Sequence, residues 1–499
     1  MPTLLRTLAA LTPAAALTLT AHANPPATPG CSGLSPSACL EQSLTAMGGR
    51  SKLEAIHSVK LDVISHTALM EQSYRQAPFI TSYERDHVTL DFAGARLRSD
   101  AHGIWPESDL NEAESDNILI ATPDGGVYHG AHGDSPCSRA DLESTREQLD
   151  LSPTRALLTA LAASDLRYGP SEVLRDTEHT VVTFSWNGRP VRLALNRFNH
   201  LPDAVETSAR FNDFWYYWGE VAQRTYWDNW RYVEGVTYPS NQIIERNGAL
   251  WSSTQALDVR FNAPLAAPDF AMDAKAAAQS AASRGWERPF SAAKNTVLAP
   301  GIDLYQGSWN TTLVQQGSGV VILETPVSET FTRGIFEEAA RKYPGQKITA
   351  VLMTSDSWPH VGGLRYDVLT GAPLYVLDLN VPLLKRFLSA SPATAGHAAN
   401  FRILTAKESL GTGENRMELY PLRGASTERQ YMVYFPAHHL LYASDTLVMN
   451  ANHTLYDPQL MHEVRQAVER EHLSVETVYA MHEGPTPWKD VIALLDASA

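Results

Sequence analysis

The chain has 499 residues, 44% hydrophobic and 19% charged, which allows two or three domains and excludes wholesale disorder. Its 40 basic and 55 acidic residues give a formal net charge of −15, which argues against a nucleic-acid partner, since tracking phosphates takes clustered Lys and Arg. The three cysteines, Cys31, Cys39 and Cys137, are too few for a disulfide scaffold or a four-cysteine zinc site.

Residues 1–23 read as a secretory signal. Arg6 gives the positive start, residues 8–19 a short apolar stretch, and Ala21-His22-Ala23 a small-x-small cleavage site. A buried N-terminal helix is the alternative, and Pro13 and Asn24-Pro25-Pro26 oppose it. The expected product is periplasmic or secreted, with a mature start near Asn24. Thr28-Pro29-Gly30-Cys31 is a poor lipidation box, and no later run approaches the ~20 apolar residues that span a bilayer. In an oxidising compartment Cys31 and Cys39 could pair, leaving Cys137 as a buried thiol.

Ser35-Pro36 predicts a helix start, with Leu40 and Leu44 on its buried side and an end at Gly48-Gly49. Alternation at Val59, Leu61, Val63 and at Val88, Leu90, Phe92 predicts strands, and Asn187-Gly188 a two-residue hairpin between strands at 179–186 and 190–195. Residues 139–164 carry leucines at helical spacing with a break at Ser152-Pro153. An aromatic tract follows, with Phe211, Phe214, Trp215, Tyr216, Tyr217 and Trp218, then Tyr226, Trp227, Trp230 and Tyr232. It has no basic excess for stacking bases. It predicts strand residues on a large sheet, or a concave apolar face holding a hydrophobic ligand. Asp228-Asn229-Trp230-Arg231, Gly235-Val236 and Tyr238-Pro239, before Asn247-Gly248, resemble the late strands of periplasmic lipoprotein-carrier-like domains, which implies a half-barrel. The fold class expected for residues 24–273 is therefore a β-rich domain.

Residues 274–295 turn to Ala, Ser, Gln and Arg and read as a linker, in part helical. Residues 296–499 have another rhythm. Apolar runs at 319–323 and 348–353 predict buried strands, 331–343 and 362–370 helices, and 374–377 a further strand, an α/β order. Mostly antiparallel strands follow at 416–420, 430–435 and 440–443, then a helix at 457–471, a strand at 475–480 and a helix at 487–495.

Open α/β sheets place their chemistry at the carboxyl ends of strands. There, Thr354-Ser355-Asp356-Ser357-Trp358-Pro359-His360-Val361-Gly362-Gly363 resembles the T-H-x-H-x-D-H-x-G-G loop of the metallo-β-lactamase superfamily. Thr354, His360, Gly362 and Gly363 fit, while Ser355, Ser357 and Pro359 replace two histidines and the aspartate. Later landmarks follow in order: residues 417–426, with Ala425 in place of the middle histidine; Leu440-Leu441-Tyr442-Ala443-Ser444-Asp445, ending in the bridging aspartate; and Met481-His482-Glu483-Gly484-Pro485 for the final histidine. The resemblance implies an αββα sandwich and a hydrolase-like function.

It also implies a depleted centre. The first metal position lacks all three histidines, whereas His360, Asp445 and His482 remain at the second. Two imidazoles and a carboxylate suffice for one zinc or ferrous ion, so the resemblance implies one such ion or none. Pro359 cannot accept a proton, and Asp356 in the same loop is the substitute. Asp356 and His360 are thus the candidate catalytic residues, and His360, Asp445 and His482 the candidate metal ligands.

Other motifs fail. Ser291-Ala292-Ala293-Lys294 and Ser115-Asp116-Asn117 match S-x-x-K and S-D-N in reversed order without K-T-G, and Gln466 breaks the H-E-x-x-H begun at His462. Two readings follow. One is an exported metallo-β-lactamase-fold hydrolase acting on a small-molecule substrate. The other is a non-catalytic periplasmic protein that uses the hydrolase fold and the apolar N-terminal sheet to bind a hydrophobic ligand or a partner.

Overall fold

The computed structural model describes residues 30–68, 81–104, 114–130, 133–210, 220–283, 285, 287–307, 309–389, 392–450 and 452–498. The predicted signal segment and the aromatic residues from Phe211 to Trp218 lie outside them.

The N-terminal half begins at the Cys31–Cys39 disulfide, Cα–Cα 5.3 Å. Helix Pro36–Ala46 starts at Ser35, whose hydroxyl accepts the Ala38 N–H at 3.2 Å, with proline in the first turn. The chain then forms an antiparallel sheet of 14 strands. Strands Ser58–Ala68 and Ala249–Phe261 pair at its middle. On one side the sheet steps through Thr81–Asp91, Arg96–Ile104, Glu114–Thr122 and Gly125–Gly130 to Gly133–Pro136. On the other it steps through Val236–Arg246, Glu220–Val233, Pro202–Arg210 and Arg189–Asn196 to Thr177–Trp186. The predicted hairpin is present, with Arg189 opposite Trp186 and the turn residues Asn187 and Gly188 at φ 48° and 74°, as a type I′ turn requires.

Helices Pro36–Ala46, Arg139–Asp150 and Ala156–Ala162 bury Leu40, Leu44, Leu149 and Leu157 in one core with Val59, Leu90, Leu193 and Trp227 of the sheet. Ser152-Pro153 separates the last two helices.

The Ala-rich segment is docked on this sheet. Helix Ala274–Ser280 buries Ala276 and Ala277 against Ile120 and Val127, and the Ser280 hydroxyl accepts the Gly126 N–H at 3.0 Å. Gly125 makes room for it. At φ +137°, a Cβ there would stand 2.1 Å from the Ala277 carbonyl oxygen.

The C-terminal half has four layers. Two sheets face each other, one of seven strands from Asn295–Ala299 to Phe401–Leu404 and one of six from Glu408–Leu410 to Thr486–Pro487. Leu304, Val321, Leu323 and Leu352 meet Leu419, Val433, Phe435 and Tyr442 between them. Helices Glu329–Lys342, Leu364–Thr370 and Val381–Ser389 cover the outer face of the first sheet through Ile335, Leu364 and Leu384. Helices Pro458–Arg470 and Trp488–Ala497 cover the second through Val464, Ala467 and Leu495. Strand Gly319–Leu323 is apolar throughout because Val320 and Ile322 face the helices while Val321 and Leu323 face the other sheet. The expected αββα sandwich is therefore present.

The two halves share a core. Val221 and Ala249 of the N-terminal sheet are buried in one cluster with Trp309 and Met481, and Trp251 packs against it.

Candidate functional site

Four carboxyl-terminal strand ends converge in the C-terminal half. Strand Gly319–Leu323 runs into Glu324, Ile348–Leu352 into the 353–363 loop, and Leu440–Tyr442 towards Asp445; His482 follows Thr477–Tyr479 at the neighbouring strand end. Glu324 and Ser444 hold left-handed backbone, φ 72° and 58°, a conformation that costs a non-glycine residue on the order of 1 kcal/mol or more. Glu324 accepts the Thr354 N–H at 3.1 Å and the Tyr442 hydroxyl at 3.2 Å, as well as the Thr354 hydroxyl. The Thr354 and Ser444 hydroxyls meet at 2.7 Å. The Tyr431 N–H donates to the Thr354 carbonyl at 3.0 Å, tying the loop to the second sheet.

Onto this frame the structure brings His360, Asp445 and His482. His360 is fully buried, with Nδ1 2.9 Å from Glu324 Oε2 and Nε2 3.7 Å from Asp445 Oδ2. His482 Nε2 lies 2.9 Å from Asp445 Oδ1, and the Ser357 hydroxyl donates to Asp445 Oδ2 at 3.2 Å. The result is a chain of alternating carboxylates and imidazoles running from the buried Glu324 to the partly exposed His482. Burial alone would lower the His360 pKa, but the negative charges of Glu324 and Asp445 push it up to about 10. Burial raises Asp445, yet the charges of His482 and His360 hold it well below the usual carboxylate range. The indole of Trp309 packs edge-on against His482, with ring centroids 6.2 Å apart.

The other candidates lie apart from this chain. Asp356 is buried and pairs with the buried Arg429, whose Nε donates to Oδ2 at 3.0 Å. Its contacts are those of a structural ion pair. The Ser355 hydroxyl accepts the Ser357 N–H at 3.1 Å. Ala425 is exposed, beside Ser426 and Thr427, which donate to Glu463.

Sequence reasoning missed Glu324 and Arg429. Glu324 carried a signal, as the first charge after a wholly apolar strand. Arg429 carried none, because its role depends on which loop it meets.

A metal ion bound by His360, Asp445 and His482 needs three donor atoms around one point. Here the two Nε2 atoms approach opposite oxygens of one carboxylate at unequal distances, and His360 Nδ1 is held by Glu324. Among the described residues no group of three or more His, Cys, Asp or Glu that could hold a metal ion occurs. As arranged, the donor set does not fit a zinc or iron centre.

A second concavity lies in the N-terminal half. A cavity of about 330 Å³ separates the helix-covered face of the sheet from helix Arg139–Asp150 and the turn after it. Its walls include Leu61, Val63, Val88, Leu90, Trp227 and Trp251, and its polar groups include Asp86, Glu147 and Arg246. Glu147 accepts Gln223 Nε2 at 2.8 Å and the Thr207 hydroxyl at 3.3 Å. Arg246 donates from Nε to Gln223 at 2.9 Å and lies 4.5 Å over the Trp251 ring. Burial raises the Glu147 pKa, against the pull of Arg189, Arg246 and the two hydrogen bonds.

No protein-family model matches the chain, and no curated protein matches it. Its structural neighbours are proteins of the metallo-β-lactamase fold. A metallo-β-lactamase from Pontibacter korlensis is 15% identical, with 41% of this chain and 98% of that one covered, TM-score 0.33. One from Erythrobacter litoralis is 17% identical, with 42% and 97% covered, TM-score 0.34. The stereoselective inverting sec-alkylsulfatase Pisa1 from Pseudomonas sp. is 14% identical at TM-score 0.31, and this chain spans 40% of its length. These likenesses, each covering about two fifths of this chain, carry no argument about chemistry.

Proposed function

We propose that the protein is an exported, non-catalytic binding protein, in which the C-terminal hydrolase-like fold is a scaffold and the N-terminal sheet holds a ligand of largely apolar character. The observation that carries this reading is the ion-pair chain Glu324–His360–Asp445–His482, in which the would-be metal ligands pair with carboxylates in sequence and do not converge on one point. The roofed cavity in the N-terminal sheet supports it, with a volume in the range of small-molecule sites. The lipoprotein-carrier-like reading belongs to this proposal, as a long antiparallel sheet with helices over one face. Export with a mature start near Asn24 is part of it as well.

A second reading, a residual metal-dependent hydrolase, has one observation in its favour. Both Nε2 atoms do face Asp445, with Glu324 behind His360 where a carboxylate would orient a ligand imidazole. Elemental analysis of protein purified without chelator separates the two. Metal far below one ion per chain is expected. Stoichiometric zinc or iron, lost to chelator together with a hydrolytic activity, would overturn the binding reading.

A further inference from the structure

On the binding reading, the chemistry of the cavity selects its ligand. Asp86 lies on strand Thr81–Asp91, and by strand alternation it shares a face with Val88 and Leu90, which line the cavity with it. It is only 8% exposed. Its Oδ2 accepts the Ser99 hydroxyl at 2.7 Å, while Oδ1 is buried without a hydrogen-bond partner. A buried, unsatisfied carboxylate oxygen is costly unless something supplies a donor or a cation.

The surrounding charges decide which. Arg246, the basic residue of the lining, is engaged by Gln223 and Trp251 and faces Glu147. Glu84, two residues from Asp86 on the same strand face, and Asp100 both add negative potential at Asp86, with His87 opposing them. An anionic head would meet the Asp86 carboxylate in a cavity that Glu147 also lines, whereas an ammonium would satisfy the open oxygen.

We propose that the cavity binds a cationic amphiphile, its primary ammonium at Asp86 and its alkyl chain along Leu61, Val63, Val88 and Leu90. This rests on the binding reading. The test is calorimetric titration of the full-length protein at neutral pH with decylamine, decanoate and decanol, followed also by the fluorescence of Trp227 and Trp251.

Decylamine should bind at least about tenfold more tightly than decanoate, since like charges brought together at an interface are strongly disfavoured. Asp86→Asn should cut that preference to less than about threefold and leave decanol unchanged, because only the head-group charge pair is removed. Ser99→Ala, which keeps the carboxylate, should retain the preference. Decanoate binding as well as decylamine, or an Asp86→Asn protein that keeps the preference, overturns the head-group assignment and leaves the binding reading standing. If none of the three binds, both fall. The comparison on the wild-type chain stands even if a variant fails to fold.

Discussion

Arg429 and Asp356 show how a single pair can define a centre. Both are almost fully buried, so removing one charge strands the other in a medium that solvates it poorly. Arg429→Met should therefore cost about 3–5 kcal/mol, while the double change Arg429→Met with Asp356→Asn should recover much of that. Urea unfolding of the three proteins checks it, and equal losses in the single and double variants would contradict the pairing.

Asp367 is a different case. It is buried in helix Leu364–Thr370, accepts the Thr325 hydroxyl at 2.6 Å, and titrates at about 8 because of burial and the nearby charge of Glu324. The folded state thus holds a proton that the unfolded chain releases at the ordinary carboxylate range. That contribution is fully present below the ordinary range and is lost as pH rises through 8. Asp367→Asn should flatten the fall in stability between pH 5 and pH 8.5, by on the order of a few kcal/mol across the interval. An unchanged slope in urea titrations at both pH values would contradict the assignment.

Elements differ in how plainly the sequence announces them. Strand Gly319–Leu323 and helix Glu329–Lys342 were legible because one is apolar on both faces and the other has a buried stripe. Strand Arg96–Ile104, with its two arginines, Asp100 and His102, was not, since its apolar contribution is little more than Leu97 and Ala101. It is held instead by pairing along its length with both neighbours. The candidate site was legible in part. His360, Asp445 and His482 fall at strand ends and do come together, whereas Glu324's grip on His360 depends on a backbone turn that composition cannot reveal.

Compositional reading also treats Ala-rich stretches as loose. Ala274–Ser280 is docked because small side chains let its backbone come close to Gly125. Gly125→Ala should destabilise the chain by about 1–3 kcal/mol, through both the positive φ and the displaced helix. Thermal unfolding of the variant checks this, and an unaltered midpoint would show that the helix is not held there.

Across the whole molecule, the boundary between the halves narrows to a short exposed stretch, Ser291 to Asn295, after the docked helix. Limited trypsin digestion should cut first after Lys294, giving fragments split near that residue. The nicked chains should still co-elute by size exclusion, because Val221 and Ala249 are buried with Trp309 and Met481 in a common core. Immediate separation of the fragments would show that this packing is too weak to hold them.

Trp251 lines the cavity on one side and packs on the other against the cluster containing Trp309, which in turn rests on His482. Close-packed interiors transmit displacement, so a guest pressing on Trp251 also acts on the surroundings of His482. Thermodynamic reciprocity makes the exchange two-way. Any factor by which occupancy of the sheet alters events at His482 is the factor by which those events alter the affinity of the sheet for its guest.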